Sequence, residues 1–192
     1  KTDIKQWLQV TNVDVAYFAE SYRGFRDAAP TNEPDVSAAD HDMLYIMYTS
    51  GTTGLPKGVV HTHHTSIWGL LSISATAIYH DPERYLACLP MFHVGALTPL
   101  AVNVYRGVTS VVMRSFDPVS AWEAIEREKI TSGLAVPAML SFMLQVPNFE
   151  RFDFSSLRWI MTGAAPVPPA LTKIFHDMNI GIQQVYGLTE TC

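Results

Sequence analysis

Cysteine is scarce in this sequence. Its 192 residues include two, Cys88 and Cys192, which lie far apart and lack the spacing of a metal site. Two isolated thiols are typical of a protein in a reducing compartment. No signal peptide begins at Lys1, so a cytoplasmic location is expected.

Basic runs and long apolar runs are also missing. The net charge is −5 and no Lys/Arg-rich segment is present, which argues against nucleic-acid binding through a basic patch. The longest weakly polar stretch, residues 67–79, is too short to span a bilayer, so no stable membrane span is expected. Apolar residues make up 48% of the chain, enough for a packed core. Nothing in the sequence predicts an oligomeric state.

The first 42 residues differ from the rest. Apolar side chains at helical spacing predict a helix near residues 15–28, namely Val15, Phe18, Ala19, Tyr22 and Phe25. Residues 29–42 hold two prolines and few apolar side chains, and indicate a connecting segment. We therefore predict a separate domain over residues 43–192.

Strands and helices alternate from residue 43 onward. Strands are predicted at 43–48, 58–62, 85–89, 109–113, 133–136, 157–161 and 182–185, the first of them buried. Helices are predicted at 65–78, 95–105, 137–145 and 168–178, and another begins where Asp117 can cap and Pro118 suits the first turn. This alternation predicts an α/β domain with a mostly parallel sheet and helices on both faces, in three layers.

The segment between the first two strands is typical of a phosphate-binding loop. It reads Tyr48-Thr49-Ser50-Gly51-Thr52-Thr53-Gly54-Leu55-Pro56-Lys57-Gly58. Its glycines permit tight turns, successive N–H groups can surround an anion, and Lys57 adds a positive charge. It is not a Walker A loop, because Pro56 precedes the lysine and a strand follows it. A simple hairpin turn is the alternative, although fewer residues would serve for one.

This loop resembles the signature of the adenylate-forming superfamily, which includes acyl-CoA synthetases, luciferases and the adenylation domains of peptide synthetases. Three further motifs match in the same order: Pro90-Met-Phe-His-Val-Gly95, Gly163-Ala-Ala-Pro166 and Tyr186-Gly-Leu-Thr-Glu190. The resemblance covers residues 43–192.

The resemblance implies a role for each matching residue. Contacts with the β- and γ-phosphates of ATP would come from Thr49, Ser50, Gly51, Thr52, Thr53, Gly54 and Lys57. Adenine would lie against Gly163, Ala164 and Ala165, with Tyr186 and Gly187 beside it. Thr189 would reach the α-phosphate, Glu190 would hold Mg²⁺, and His93 would lie at the acyl pocket.

The implied activity is ATP-dependent formation of an acyl adenylate, followed by transfer of the acyl group to coenzyme A. The segment 92–95 is most similar to fatty-acid ligases. No acid occurs within 135–140 or 159–163 to hold an amino-acid ammonium group, which favours an apolar carboxylic acid. An amino-acid adenylation domain, a luciferase-like oxygenase and a non-catalytic ATP-binding fragment remain alternatives.

The chain ends inside a predicted ligand loop, so we expect a fragment of a longer protein. The resemblance places an Asp, an Arg and a mobile-domain Lys beyond Cys192. The chain alone is therefore expected to hold part of the site and to be inactive by itself.

Several residues admit a structural interpretation instead. Glu190 could be a solvated acid, His93 a buried hydrogen-bonded histidine, and Tyr186 a packing residue at a strand end. A zinc site is disfavoured for the histidines His61, His63 and His64, which have no acidic or cysteine partner at ligand spacing. The tryptophans Trp68, Trp122 and Trp159 are predicted in the core, although Trp68 and Met139 could instead border an acyl pocket.

Overall fold

A computed structural model describes residue 24 and residues 26–33, 36–51, 54–79 and 82–191. The chain divides into two compact units, Lys1–Ser37 and Ala38–Cys192. In the first unit Gly24, Arg26 and Asp27 are helical. The apolar residues on which the N-terminal helix was predicted lie outside the described residues, and the domain boundary after residue 42 stays a prediction.

Five parallel strands form the central sheet of the second unit, in the order β4-β3-β5-β6-β7. They are β3 (Arg84–Ala87), β4 (Thr109–Val112), β5 (Ser132–Leu134), β6 (Trp159–Thr162) and β7 (Gly181–Gln184). Every neighbouring pair in this sheet is parallel. The predicted α/β fold with a mostly parallel sheet is confirmed.

One face of this sheet holds the main hydrophobic core. The three helices α3 (Pro118–Glu128), α4 (Pro137–Leu144) and α5 (Pro169–Asp177) supply half of its buried side chains. Leu86 and Ile160 point into it from the strands, and Cys88 from the residue after β3. Trp122 is fully buried there, and its Nε1 donates a hydrogen bond to the Met143 carbonyl at 2.9 Å.

On the opposite face α2 (Val94–Arg106) contacts β3 and β4, and α1 (His63–Thr76) packs against α2. Tyr85 and Met161 alternate with the core residues of their strands and are buried on this side. Helices therefore flank both faces, as the predicted three-layer arrangement requires.

Local sequence explains where the helices begin. The Asp117 carboxylate accepts the Ser120 N–H at 2.8 Å, and Pro118 occupies the first turn of α3. At α1, Thr62 and Thr65 form a capping box in which each side chain bonds the other's backbone N–H. No residue of α1 is buried, so this helix is held weakly by apolar contacts.

The first two strands form a separate antiparallel hairpin, β1 (Met43–Thr49) with β2 (Lys57–Thr62). The prediction of a buried first strand is wrong, because Met47 is its only buried residue. Side chains alternate across the hairpin: Met47 and His61 lie on the buried face. The other face exposes Leu44, Ile46, Tyr48 and Val60.

Two of the three predicted core tryptophans are buried, Trp122 and Trp159. Trp68 is 59% exposed, so its assignment to the core is wrong: it lies on α1, whose outer face is uncovered in the described residues. Met139 belongs to the hydrophobic core. Among the described residues, no helix is long and apolar enough to cross a membrane.

Candidate functional site

The predicted site residues follow the carboxyl ends of three strands and the tip of the hairpin. His93 lies after β3, Ala164 after β6 and Tyr186 after β7. Because these strands are parallel, the residues lie at the same edge of the sheet, where α/β proteins bind ligands. The 3-10 turn Thr189–Thr191 lies beside β2, with Cα atoms of the two elements within 8 Å. The structure thus brings the turn that contains Glu190 close to the strand that begins at Lys57.

The phosphate-loop segment is a strand–loop–strand unit, as predicted, in which Thr49 and Lys57 are opposite residues. Gly51 and Gly54 have φ values of 63° and 98°, the left-handed region that glycine adopts readily. At Gly51 an added Cβ would also collide with the Leu55 carbonyl, so the turn closes tightly. Ser50 and Lys57 are exposed, and Thr52 and Thr53 lie outside the described residues. The loop presents its polar groups to solvent, where an anion can reach them.

The turn after β6 is shaped by close contact with β7. A Cβ on Gly163 would lie 2.5 Å from the Val185 carbonyl oxygen, so this position requires glycine. Ala164 has a φ of 64°, which is strained for a residue with a Cβ. Ala164 and Ala165 are exposed beyond the strand end. Strain of this kind is common where a chain faces a ligand.

The segment after β7 is held at both ends. Val185 N–H donates to the Thr162 carbonyl at 2.8 Å, and the Thr191 hydroxyl bonds the Leu188 backbone at 3.1 Å. Between these points Tyr186 is 90% exposed, so packing at the strand end does not explain it. Gly187 and Glu190 are exposed and Thr189 is half-buried. The tyrosine ring is free to stack on a planar ligand.

His93 precedes the first residue of α2. Its carbonyl accepts the N–H groups of Ala96 and Leu97 at 2.9 and 3.2 Å, and its ring lies 4.7 Å from that of Phe92. The side chain is exposed, so the alternative of a buried, hydrogen-bonded histidine is wrong. The imidazole remains available to a ligand at this edge.

The chemistry of the turn that contains Glu190 fits Mg²⁺. This ion takes hard oxygen ligands and is commonly held by one or two carboxylates together with substrate phosphates. Glu190 supplies an exposed carboxylate on the 3-10 turn beside β2, the strand that begins with Lys57. Among the described residues, His, Cys, Asp and Glu side chains form no group of three that could hold a metal by themselves.

Two side chains, Cys88 and His61, are buried, unlike the exposed candidate site residues. Burial raises the pKa of the Cys88 thiol to about 11, and the thiol bonds the Leu134 carbonyl at 3.4 Å. It is therefore protonated at neutral pH and is not a nucleophile. His61 is 2% exposed, with its ring 4.8 Å from Tyr45 and its buried Nε2 without a hydrogen-bond partner among the described residues.

Sequence reasoning missed the side chain that ties α1 to β7. Gln183 accepts the Ile78 N–H at 3.3 Å and donates to the Ile78 carbonyl at 3.0 Å. The two residues are 105 positions apart, and a polar residue in a short strand carries no sign of such a partner.

Comparison with known proteins is consistent with this geometry. The family model described as "AMP-binding enzyme" matches residues 3–192. The long-chain-fatty-acid–CoA ligase FadD13 of Mycobacterium tuberculosis is 47% identical over 165 residues, which cover 86% of this chain and 33% of the relative. The chain therefore spans about a third of the length of that curated relative.

Solved structures agree with the fold. The inhibitor-bound N-terminal domain of FACL13 from Mycobacterium tuberculosis has a TM-score of 0.84 and 45% identity, covering 90% of this chain and 43% of that one. O-succinylbenzoate coenzyme A synthetase from Bacillus subtilis, solved with ATP and magnesium ion, has a TM-score of 0.78 and 31% identity. That match covers 90% of this chain and 36% of the synthetase.

Proposed function

We propose, from the premise that this chain belongs to the AMP-binding enzyme family, that the protein uses ATP to activate a carboxylic acid and transfers the acyl group to coenzyme A. One observation carries this proposal. The phosphate hairpin, which is β1 and β2 with the loop between them, lies beside the Glu190 turn, Thr189–Thr191. Related proteins named as CoA ligases support the class of reaction.

The first step joins two anions, so the site must offset their repulsion. The carboxylate attacks the α-phosphorus of ATP and pyrophosphate leaves, which requires positive charge and hydrogen-bond donors around the phosphates. Lys57 supplies a cation at the start of β2, and the backbone of residues 50–54 supplies N–H groups. Mg²⁺ bound at Glu190 would neutralise phosphate charge.

The remaining residues orient the nucleotide and the acid. Gly163, Ala164 and Ala165 form one wall for the base, and Tyr186 stacks on it from the segment after β7. Gly187 follows the tyrosine beside the base, and the Thr189 hydroxyl donates to the α-phosphate. His93, at the start of α2, lies beside the carboxylate that reacts.

We propose a fatty acid as the substrate. The most informative support is the relative named as a long-chain-fatty-acid–CoA ligase, at 47% identity. Another family member is named for o-succinylbenzoate, so the family alone does not select the acid. The apolar character of 135–140 and 159–163, which contain no acidic residue, favours an acid without an ammonium group.

Exchange of labelled pyrophosphate into ATP tests the proposal in the full-length protein. Fatty acids should stimulate exchange and amino acids should not. Lys57→Ala should lower exchange about 10-fold or more, since one charged contact to phosphate is lost. Lys173→Ala, at an exposed lysine of α5 paired with Asp177, is the matched control and should leave the rate unchanged. Exchange stimulated by no carboxylate would overturn the proposal.

A further inference from the structure

The phosphate hairpin and the five-stranded sheet are separate structural elements. The hairpin shares no strand pairing with the five-stranded sheet. It continues directly into α1, because β2 ends at Thr62 and the helix begins at His63. The Thr62–Thr65 capping box joins the end of β2 to the first turn of the helix, so the hairpin and α1 form one continuous body.

Two residues beyond the carboxyl end of that body, the chain is attached to β7. The side-chain amide of Gln183 bonds both the N–H and the carbonyl of Ile78, at 3.3 and 3.0 Å. The next residue is fixed as well: the Arg106 guanidinium lies 3.7 Å from the centroid of the Tyr79 ring, and Trp159 meets the ring edge-on at 5.7 Å. The segment 78–79 therefore has a defined position on the sheet.

β7 also leads into the other half of the site. The strand ends at Gln184, and residues 186–190 follow it. One side chain of β7 thus holds the body that carries the phosphate loop, while the end of the same strand carries Tyr186 and Glu190. α1 itself buries none of its residues, so this polar contact adds to its packing against α2.

We infer that Gln183 is a positioning residue that sets the distance between the phosphate hairpin and the Tyr186–Glu190 segment by clamping the backbone of Ile78. The inference rests on the proposed use of ATP and deepens it. Gln183 itself touches no reacting atom. Its effect reaches ATP through α1, which sets where Lys57 and the loop stand relative to Glu190.

The test measures ATP·Mg²⁺ affinity by calorimetry in the full-length protein, together with the free energy of unfolding. Gln183→Met keeps the side-chain volume and removes both hydrogen bonds. We expect its Kd for ATP to rise about 10-fold, which corresponds to about 1.4 kcal/mol of binding free energy. Gln145→Met makes the same chemical change at an exposed residue that ends α4, and should leave the Kd unaltered.

A second variant approaches the clamp from its other partner. Ile78→Pro removes the N–H that donates to Gln183, and the extended backbone of Ala77 (ψ 144°) suits a residue that precedes proline. It should weaken ATP binding by a smaller factor than Gln183→Met. The double variant should bind ATP no more weakly than Gln183→Met alone, because both changes act through the same contact.

The possible outcomes separate the two proposals. A raised Kd with an unchanged free energy of unfolding supports a positioning role, whereas independent, multiplied losses in the double variant would overturn it. An unaltered Kd in both single variants, with ATP binding in the natural protein, would overturn this inference alone. If Gln183→Met does not fold, the Ile78→Pro measurement decides by the same criterion. A natural protein that binds no ATP would overturn the proposed function and this inference with it.

Discussion

At the scale of single residues, the site contains an alanine in a backbone conformation that suits glycine. Ala164 has a φ of 64° in the turn after β6. A left-handed residue with a Cβ costs about 1–2 kcal/mol, and the fold retains this strain beside the predicted adenine wall. The sequence alone shows an unremarkable Gly-Ala-Ala-Pro turn, because which alanine is strained depends on how β6 meets β7.

Ala164→Gly should therefore raise the free energy of unfolding by about 0.5–1 kcal/mol, since relief of strain exceeds the entropy that glycine adds to the unfolded chain. Ala165→Gly is the control: its φ is not left-handed, so the same substitution should lower stability by about 0.4–1 kcal/mol. Denaturant unfolding of both variants checks this. Equal losses in the two would contradict the assignment of strain to Ala164.

At the scale of elements, predictions succeeded where local chemistry determines the structure. The start of α3 is set by Asp117 and Pro118, which act on their own helix, and the structure places both as predicted. Strand ends are less predictable: the sequence predicts a strand at 133–136, whereas β5 is Ser132–Leu134, the residues that pair with Tyr85, Leu86 and Ala87 of β3. The burial of β1 was mispredicted because an apolar run does not reveal whether one or both faces are covered.

The cap of α3 makes a prediction that depends on pH. Hydrogen bonding from the Ser120 backbone N–H holds the pKa of Asp117 below its usual value of 3.8. A carboxyl group with a lowered folded-state pKa stabilises the protein above its unfolded pKa, and this contribution is lost as pH falls through the folded pKa. Asp117→Ala should thus lower the free energy of unfolding at pH 7, with the difference shrinking below about pH 4.

Asp117→Asn separates the cap from its charge. The amide oxygen can still accept the Ser120 N–H, so this variant should be close to the natural protein at pH 7 and should lose the pH dependence due to this group. Denaturant unfolding between pH 3 and 7 measures both effects. A loss in Asp117→Ala that stays constant across this range would show that the ionised carboxylate is not what caps the helix.

At the scale of the whole molecule, two neighbouring polar connections join the sheet to its surroundings, because Tyr79, the residue after Ile78, contacts both Arg106 and Trp159. The Gln183–Ile78 clamp acts on the body that carries the phosphate hairpin. A buried network acts near the amino ends of β3 and β6, where Glu83 accepts from Arg106 at 3.2 Å and from Trp159 Nε1 at 3.0 Å. Neither connection was predictable, since each joins residues that are distant in sequence and become neighbours only through the order of the strands.

The Glu83 network should contribute more to the free energy of unfolding than an exposed surface ion pair does. Only 1% of the Glu83 side chain and 17% of Arg106 are exposed, so removing Arg106 takes a positively charged partner away from a buried carboxylate. Arg106→Met should lower the free energy of unfolding by about 3–5 kcal/mol. Lys173→Met breaks an exposed pair with Asp177 at 2.6 Å and should change stability by less than about 1 kcal/mol.

The double variant Glu83→Gln/Arg106→Met tests the cause of the loss. Neutralising the buried carboxylate removes the need for a counter-ion, while an amide can still accept from the Trp159 indole. The double variant should therefore be more stable than Arg106→Met alone in denaturant unfolding. If it were no more stable, charge compensation would not explain the loss in Arg106→Met, and the stacking of Arg106 on Tyr79 at 3.7 Å would be the contact to test next.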